Sequence, residues 1–164
     1  MEGVARHLAA QAKAKDGDEF DKFARSAFNR FYYSCFLIAR SLIKEFLPEV
    51  GDPKHKEVPA IIKSKLTKRF KDNSDKAVSN HAISIGEAKR SESTMRNSAK
   101  ALSQILEEGY NVRKLADYKP EVKSERKNNK IMLGFTSIET AENWVSNVHI
   151  NCKTIRSQWK RIGG

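Results

Sequence analysis

The longest helical pattern in the chain covers Asp18 to about Leu47, and it restricts the chain to a largely helical fold. Apolar side chains recur there at three- and four-residue steps along two adjacent stripes. The stripes consist of Phe20, Phe23, Ala27, Phe31, Ser34, Ile38 and Leu42, and of Phe28, Tyr32, Cys35, Ala39, Ile43 and Phe46. A helix with so wide an apolar face contacts several neighbours, as the central helix of a bundle does.

Helical patterns cover most of the remaining chain as well. An alanine-rich helix is predicted over residues 2–15. A shorter helix around residues 58–70 precedes a predicted polar break at residues 71–74. A further helix is predicted from about Asp75, and its apolar stripe continues to the vicinity of Arg113.

Residues 119–135 interrupt the helical patterns. The charged stretch 124–129 precedes an apolar run at residues 131–135, and this arrangement fits either a β-hairpin or a mobile basic loop. The capping box predicted at residues 136–139 then begins a final helix that reaches about Trp159. The sequence therefore predicts one all-α domain over residues 1–164. We expect an up-and-down bundle of about five helices with a long C-terminal helix and a hairpin or loop insertion near 119–135.

Composition is that of a globular chain with a core. The 164 residues are 39% hydrophobic and 31% charged, and no run approaches the roughly 20 apolar residues that a membrane span needs. Residues 1–7 have no apolar segment of signal-peptide length, so we expect a cytoplasmic protein that does not contact membranes. Cys35 and Cys152 lie on apolar helix faces without metal-binding spacing, and they are predicted to be buried free thiols.

The net charge of +11 favours a polyanionic partner. The cations concentrate in two segments of the chain rather than being spread evenly. The segments contain Lys54, Lys56, Lys63, Lys65, Lys68, Arg69, Lys71 and Lys76, and Lys119, Lys123, Arg126, Lys127 and Lys130. They either form a solvated surface or bind nucleic acid. The candidate nucleic-acid contacts are Lys114, Lys119, Lys123, Arg126, Lys127, Lys54, Lys56 and Arg69.

The stretch Arg113–Pro120 is a concentrated group of charges at a predicted helix end. Arg113 and Asp117 are four residues apart, so their side chains share one helix face and can pair. Pro120 ends the helix, which leaves Arg113, Asp117 and the Tyr118 hydroxyl near its last turn. The arrangement is either a common structural ion pair or a binding site.

This stretch resembles the R-x-x-A-D-Y signature of one branch of the HEPN family. Residues 26–42, SAFNRFYYSCFLIARSL, resemble the S-x-x-Y-Y-A-x-F-x-A-A-R-x-L helix of the same branch, and residues 54–58, KHKEV, resemble its T-H-K-G-V segment. The three similarities occur in the family's order. Together they cover roughly residues 20 to 120.

The resemblance implies a homodimer in which the arginine motifs meet and cut RNA without a metal ion or cofactor. Catalytic HEPN proteins carry a histidine four to six residues after the arginine, because an imidazole with a pKa of about 6.5 can move a proton at neutral pH. Here Tyr118 occupies that position and Lys114 replaces the usual polar residue after the arginine. The resulting catalytic candidates are Arg113, Asp117, Tyr118 and His55, and His55 is either a substitute imidazole or an exposed capping residue.

Neighbouring side chains on the central helix leave further alternatives. Arg30 and Arg40 either approach Arg113 or extend along the aromatic stripe to solvent. Tyr32 and Tyr33 are core residues by their spacing, although one hydroxyl can reach the Asp117 carboxylate.

Three functions fit these patterns. The first is a metal-independent endoribonuclease of a prokaryotic toxin or phage-defence system, kept in check by an antitoxin or another partner protein. The second is a non-catalytic HEPN module that binds nucleic acid, a nucleotide or a protein. The third is an interaction subunit whose final helix, with Trp144 and Trp159, packs on another protein.

Overall fold

The computed structural model describes residues 1–163 and confirms the all-α architecture. Five helices make up most of the chain, and the last of them is long, as predicted. They are α1 (Glu2–Lys13), α2 (Gly17–Phe46), α3 (58–79), α4 (Ile85–Tyr118) and α5 (Ile138–Arg161). A short 3-10 turn at Pro48–Val50 follows α2. No helix among the described residues is both long and apolar enough to cross a lipid bilayer.

Helix α3 contains a π-helical turn. Its α-helical parts are Val58–Ile61 and Thr67–Ser79, and the π-helical turn Ile62–Leu66 joins them without a break. The Thr67 hydroxyl donates to the Lys63 and Ser64 carbonyls at 2.8 and 3.0 Å. Such a turn adds one residue to the helix and changes which side chains share a face.

The predicted break at residues 71–74 is wrong, because α3 continues to Ser79. Lys71 pairs with Asp75 one turn later at 2.5 Å, and the side chain of Ser74 is buried. The polar side chains of this stretch lie largely on the exposed face of the helix, so polarity alone did not mark a boundary.

The actual break lies at residues 80–84. His81 has a left-handed backbone with φ of 57°. A capping box then starts α4, since the Glu87 amide donates to Ser84 Oγ at 3.2 Å and the Ser84 amide donates to the Glu87 carboxylate at 2.8 Å. The helix predicted from Asp75 is therefore two helices, and only the second reaches Arg113.

The insertion between α4 and α5 is a β-hairpin, one of the two predicted forms. Strands β1 (Ser124–Lys127) and β2 (Lys130–Leu133) pair antiparallel, and β3 (Thr136–Ser137) adds to β2. Asn128 and Asn129 have positive φ values of 51° and 60°, as the two central residues of a type I′ turn require. This turn fixes the register of the hairpin.

The cap of α5 lies one residue later than predicted. Thr136 belongs to β3, and the Ser137 hydroxyl accepts a hydrogen bond from the Thr140 amide at 3.2 Å. Ser137 is therefore the N-cap residue of α5.

Backbone contacts divide the chain into two compact units. The first unit contains residues 1–37 and 106–147, and the second contains residues 38–105 and the chain from Val148 onward. Helices α2, α4 and α5 each contribute residues to both units. Each unit has its own aromatic cluster.

In the first unit, Tyr32 of α2 packs against Gly109 of α4. A Cβ atom at Gly109 would lie 2.9 Å from Tyr32 Cδ2 and 3.5 Å from the ring of Trp144. Tyr32 and Trp144 are both buried. Glycine at this position therefore permits a close approach that no larger residue allows.

In the second unit, Trp159 of α5 stacks on Phe46 with ring centroids 4.3 Å apart and meets the edge of Phe70 at 5.3 Å. Trp159, like Trp144, is buried inside the chain, so neither indole is presented to solvent for a partner protein. Cys35 and Cys152 are buried free thiols, as predicted, and burial raises the pKa of Cys152 to about 11.

We predict that Gly109→Ala lowers the free energy of unfolding by about 1–3 kcal/mol, because the added methyl group overlaps the buried Tyr32 ring. Gly86→Ala in the same helix is the matched control, since a Cβ atom there meets nothing closer than 3.9 Å. That variant should be unchanged or up to about 1 kcal/mol more stable. Urea unfolding followed by circular dichroism measures both, and equal effects would contradict the close approach.

Candidate functional site

A polar stripe on α2 organises the candidate site in the first unit. Asp21, Arg25, Asn29 and Tyr33 recur at four-residue steps and therefore share one face of the helix. Each of them meets a different point on the last turns of α4 or the segment that follows. We call these four residues the α2 polar stripe.

Arg25 caps the C-terminus of α4. Its Nη2 donates to the carbonyls of Leu115 and Ala116 at 2.8 and 2.7 Å, and its Nη1 donates to the Val122 carbonyl at 2.5 Å. The Lys119 carbonyl also accepts at 3.2 Å. The last carbonyls of a helix have no partners within the helix and carry partial negative charge, so a guanidinium satisfies them in both respects.

Asn29 and Arg113 hold the Asp117 carboxylate from two sides. The Asn29 side-chain amide donates to Oδ1, and Arg113 Nε donates to Oδ2 at 2.9 Å. The Arg113 and Asp117 side chains are only 14% and 24% exposed, so solvent screens this pair less than a surface pair. The predicted pairing of Arg113 with Asp117 is confirmed, and Asn29 of α2 also contacts Asp117.

Two phenol rings lie near the Arg113 guanidinium. Its central carbon is 5.4 Å from the centroid of Tyr33 and 5.8 Å from that of Tyr118, within the range of cation–π attraction. Nη2 also lies 3.4 Å from the Tyr118 hydroxyl, and Tyr118 is 65% exposed. Tyr33 and Asp117 thus hold the Arg113 side chain in place, while the neighbouring Tyr118 is exposed to solvent.

Arg113 keeps its charge in this setting. Burial disfavours the charged guanidinium, but Tyr33 and Asp117 outweigh that effect and hold the pKa of Arg113 above its ordinary value. A guanidinium has five N–H donors, and contacts among the described residues occupy only its Nε and Nη2. Arg113 therefore retains donors for an anionic ligand.

Asp21 fixes the start of the hairpin. Its Oδ1 accepts a hydrogen bond from the Ser124 amide at 2.7 Å, and Lys123 Nζ lies 3.4 Å from Oδ2. Burial works to raise the pKa of Asp21, yet the bonds from Ser124 and Lys123 outweigh it and leave the pKa below its usual value. This carboxylate stays ionised at neutral pH and serves the structure.

A cleft of about 310 Å³ lies beside the α2 polar stripe, within the first unit. Lys22, Arg30 and Lys123 contribute cations to its lining. Asp117 lines the cleft as well, and it is the carboxylate that pairs with Arg113. Arg30, one of the two arginines considered on α2, thus lines the cleft, whereas Arg40 belongs to the second unit and lies 4.0 Å from Asp52.

The structure gives the predicted cations of the first unit different surroundings. Arg126 donates to Asp16 at 2.6 Å and to the Lys15 carbonyl at 2.5 Å, and it stacks on the Phe20 ring, so it ties the hairpin to the end of α1. Lys114 lies over the Tyr110 ring, while Lys119 pairs with Glu121 at 3.6 Å. Lys127 is exposed and lies opposite Lys130 in the antiparallel register of strands β1 and β2.

The remaining predicted residues belong to the second unit. Arg69 pairs with Glu49 at 2.5 Å, and Lys54 and Lys56 are exposed. His55 lies in the turn before α3, where the Lys54 amide donates to the Glu57 carboxylate at 2.8 Å. A catalytic role for His55 stays a prediction, as do the roles of the cations. No three His, Cys, Asp or Glu side chains within residues 1–163 cluster as metal ligands do.

Sequence reasoning missed Arg25 and Asn29. The signal was present, because Asp21, Arg25, Asn29 and Tyr33 repeat at the spacing of one helix face. The helix was interpreted from its two apolar stripes alone, and the polar face was not considered.

Comparison of the chain with protein-family models, with curated proteins and with solved structures finds no match. The HEPN resemblance consequently depends on the three motifs alone.

We predict that Arg25→Ala lowers the free energy of unfolding by about 2–3 kcal/mol, because two helix-end carbonyls and the Val122 carbonyl lose a charged donor. Arg30→Ala is the matched control, since Arg30 is an exposed arginine of the same helix that does not belong to the α2 polar stripe. The variant should change the free energy of unfolding by about 0.5 kcal/mol at most. Urea titration measures both. A loss for Arg25→Ala no larger than that of the control would contradict the capping role.

Proposed function

We propose that this chain is a HEPN-type protein that acts on RNA and that Arg113 contacts an RNA phosphate. The order of the three motifs and the net charge of +11 support the proposal. It extends to a homodimer with facing arginine motifs and to a prokaryotic toxin or phage-defence setting, as the resemblance implies.

One observation carries the proposal. Arg113 is oriented through Nε by Asp117, keeps unoccupied guanidinium donors and adjoins the exposed Tyr118 hydroxyl. A pre-oriented guanidinium suits a phosphate group, because its planar array of N–H donors matches two phosphate oxygens. Lys22, Arg30 and Lys123 in the adjoining cleft add charge of the sign that an RNA backbone requires.

The first candidate activity is metal-independent endoribonuclease cleavage. The ribose 2′-oxygen attacks the neighbouring phosphorus, the bond from phosphorus to the 5′-oxygen breaks, and the products carry a 2′,3′-cyclic phosphate and a 5′-hydroxyl. The 2′-hydroxyl loses its proton and the leaving oxygen gains one. Arg113 would stabilise the charge that builds on the phosphoryl oxygens, and Tyr118 would orient the attacking hydroxyl.

The second candidate is RNA binding without cleavage. Both carboxylate oxygens of Asp117 already accept hydrogen bonds, one from Asn29 and one from Arg113. Asp117 therefore already serves to hold Asn29 and Arg113 in place, and Tyr118 stands where catalytic HEPN proteins have an imidazole. This observation favours a binding module whose arginine holds the phosphate only.

The test is incubation of the purified chain with end-labelled structured RNA in EDTA, followed by analysis of fragment termini on a gel. The proposal expects fragments with cyclic phosphate ends. The cleavage rate should fall about a hundredfold or more in Arg113→Ala, since the guanidinium that stabilises the charge on the phosphoryl oxygens is removed. Arg6→Ala is the control, because Arg6 is exposed and pairs with Glu2 and Glu142.

Each outcome assigns the activity. Cleavage that needs magnesium, or that survives Arg113→Ala, contradicts the ribonuclease. Intact RNA that the wild-type chain retains, and that Arg113→Ala retains less well, identifies the binding module. Failure of the wild-type chain to retain or cut RNA overturns the proposal as a whole.

A further inference from the structure

A groove of about 590 Å³ lies in the second unit between residues 63–71 of α3 and residues 92–100 of α4. Its floor is apolar, because Phe70 and Met95 line it and each is only 1% exposed. Its walls are polar and almost entirely basic. We call it the α3–α4 groove.

Five cations and one carboxylate line the α3–α4 groove. The cations are Lys63, Lys68, Lys71, Arg96 and Lys100, and the carboxylate is Glu92. Like charges collected in one concavity repel one another, so the arrangement costs stability unless an anion enters. The excess of four positive charges is the property that an occupant would complement.

Most of these cations have no internal counter-ion. Lys71 pairs with Asp75, but the other four have no carboxylate within 4 Å among residues 1–163. Arginines elsewhere in the chain are consumed by such pairs, as in Arg69 with Glu49, Arg126 with Asp16 and Arg156 with Glu45. The groove therefore holds charge that folding does not use.

The π-helical turn of α3 contributes directly to the groove. Lys63 lies within the turn and Thr67 follows it, and both line the groove. The Thr67 hydroxyl donates to the Lys63 and Ser64 carbonyls of the turn. Turns of this kind recur at functional sites, because they rearrange a helix face.

We propose that the α3–α4 groove binds the phosphate backbone of RNA, in addition to the phosphodiester at Arg113. The proposal takes RNA as the occupant from the proposed function and otherwise depends on the charge and shape of the groove. A low-dielectric floor of Phe70 and Met95 strengthens the attraction of the surrounding cations for phosphate. Contacts of lysine and arginine with phosphates carry no sequence preference, so the groove holds RNA without selecting it.

The test compares Lys68→Glu/Arg96→Glu with Lys153→Glu/Lys160→Glu, which changes the net charge equally on the exposed face of α5. Binding of fluorescein-labelled 2′-O-methyl RNA is measured by anisotropy over a range of salt concentrations, because this RNA has no free 2′-hydroxyl to attack. The groove variant should bind about tenfold more weakly, and its salt slope should fall by about 1.4 for two lost phosphate contacts. The control variant should keep nearly the wild-type slope.

Wild-type affinity and slope in the groove variant would overturn the proposal, and so would equal losses in both variants, since net charge alone would then explain them. Thermal unfolding of both variants checks that these exposed substitutions leave the fold intact. The groove and the Arg113 proposal fail separately. Arg113-dependent cleavage with an unaltered groove variant refutes the groove alone, whereas weaker binding by that variant without any Arg113-dependent effect refutes the Arg113 site alone.

Discussion

The contact of Arg25 with the end of α4 is the interaction on which the candidate site depends. Pro120 prevents the helix from continuing, so its last carbonyls need partners. The Arg25 guanidinium supplies donors to two of them, those of Leu115 and Ala116, and to the Lys119 and Val122 carbonyls of the segment that follows. The same α2 face then delivers Asn29 to Asp117 and Tyr33 to Arg113. A helix end that would otherwise fray thus becomes a fixed support for Arg113, and a fixed arginine loses less entropy when it binds an anion.

The cations behind the net charge of +11 fall into two groups, those with partners inside the fold and those without. Arg25 and Arg126 are occupied with backbone carbonyls, and Arg69 and Arg156 with carboxylates, so these side chains stabilise the fold. Other cations have no carboxylate partner among the described residues. Lys22 and Arg30 of this kind line the cleft beside the α2 polar stripe, and Lys63, Lys68, Arg96 and Lys100 line the α3–α4 groove. Net charge alone does not make this distinction. Partners of individual side chains show which cations are free for a polyanion.

Most of the helices could be predicted from the sequence, because apolar residues that recur at three- and four-residue steps over a long stretch indicate an amphipathic α-helix. At residues 71–74, exposed polar side chains resembled a break that the helix does not have. The capping box Ser84-x-x-Glu87, which marks the true start of the next helix, was present in the sequence but was overlooked. The Arg113–Asp117 pair was predictable because both residues share one helix. Asn29 reaches Asp117, and Arg25 reaches the Ala116 carbonyl near it, from another helix some 90 residues away along the chain. Only folding brings those partners together, and no local pattern in the Arg113 motif announces them.

The central claim is that Arg113 meets RNA whereas Arg25 serves the fold. Nitrogen-15 NMR of the arginine guanidinium Nη–H groups tests it most directly, with the signals of the two residues assigned from Arg113→Lys and Arg25→Lys variants. On addition of 2′-O-methyl RNA, the Arg113 signal should shift and the Arg25 signal should stay in place, because its donors are already bound to carbonyls. An unchanged Arg113 signal while the RNA is demonstrably bound would contradict the account.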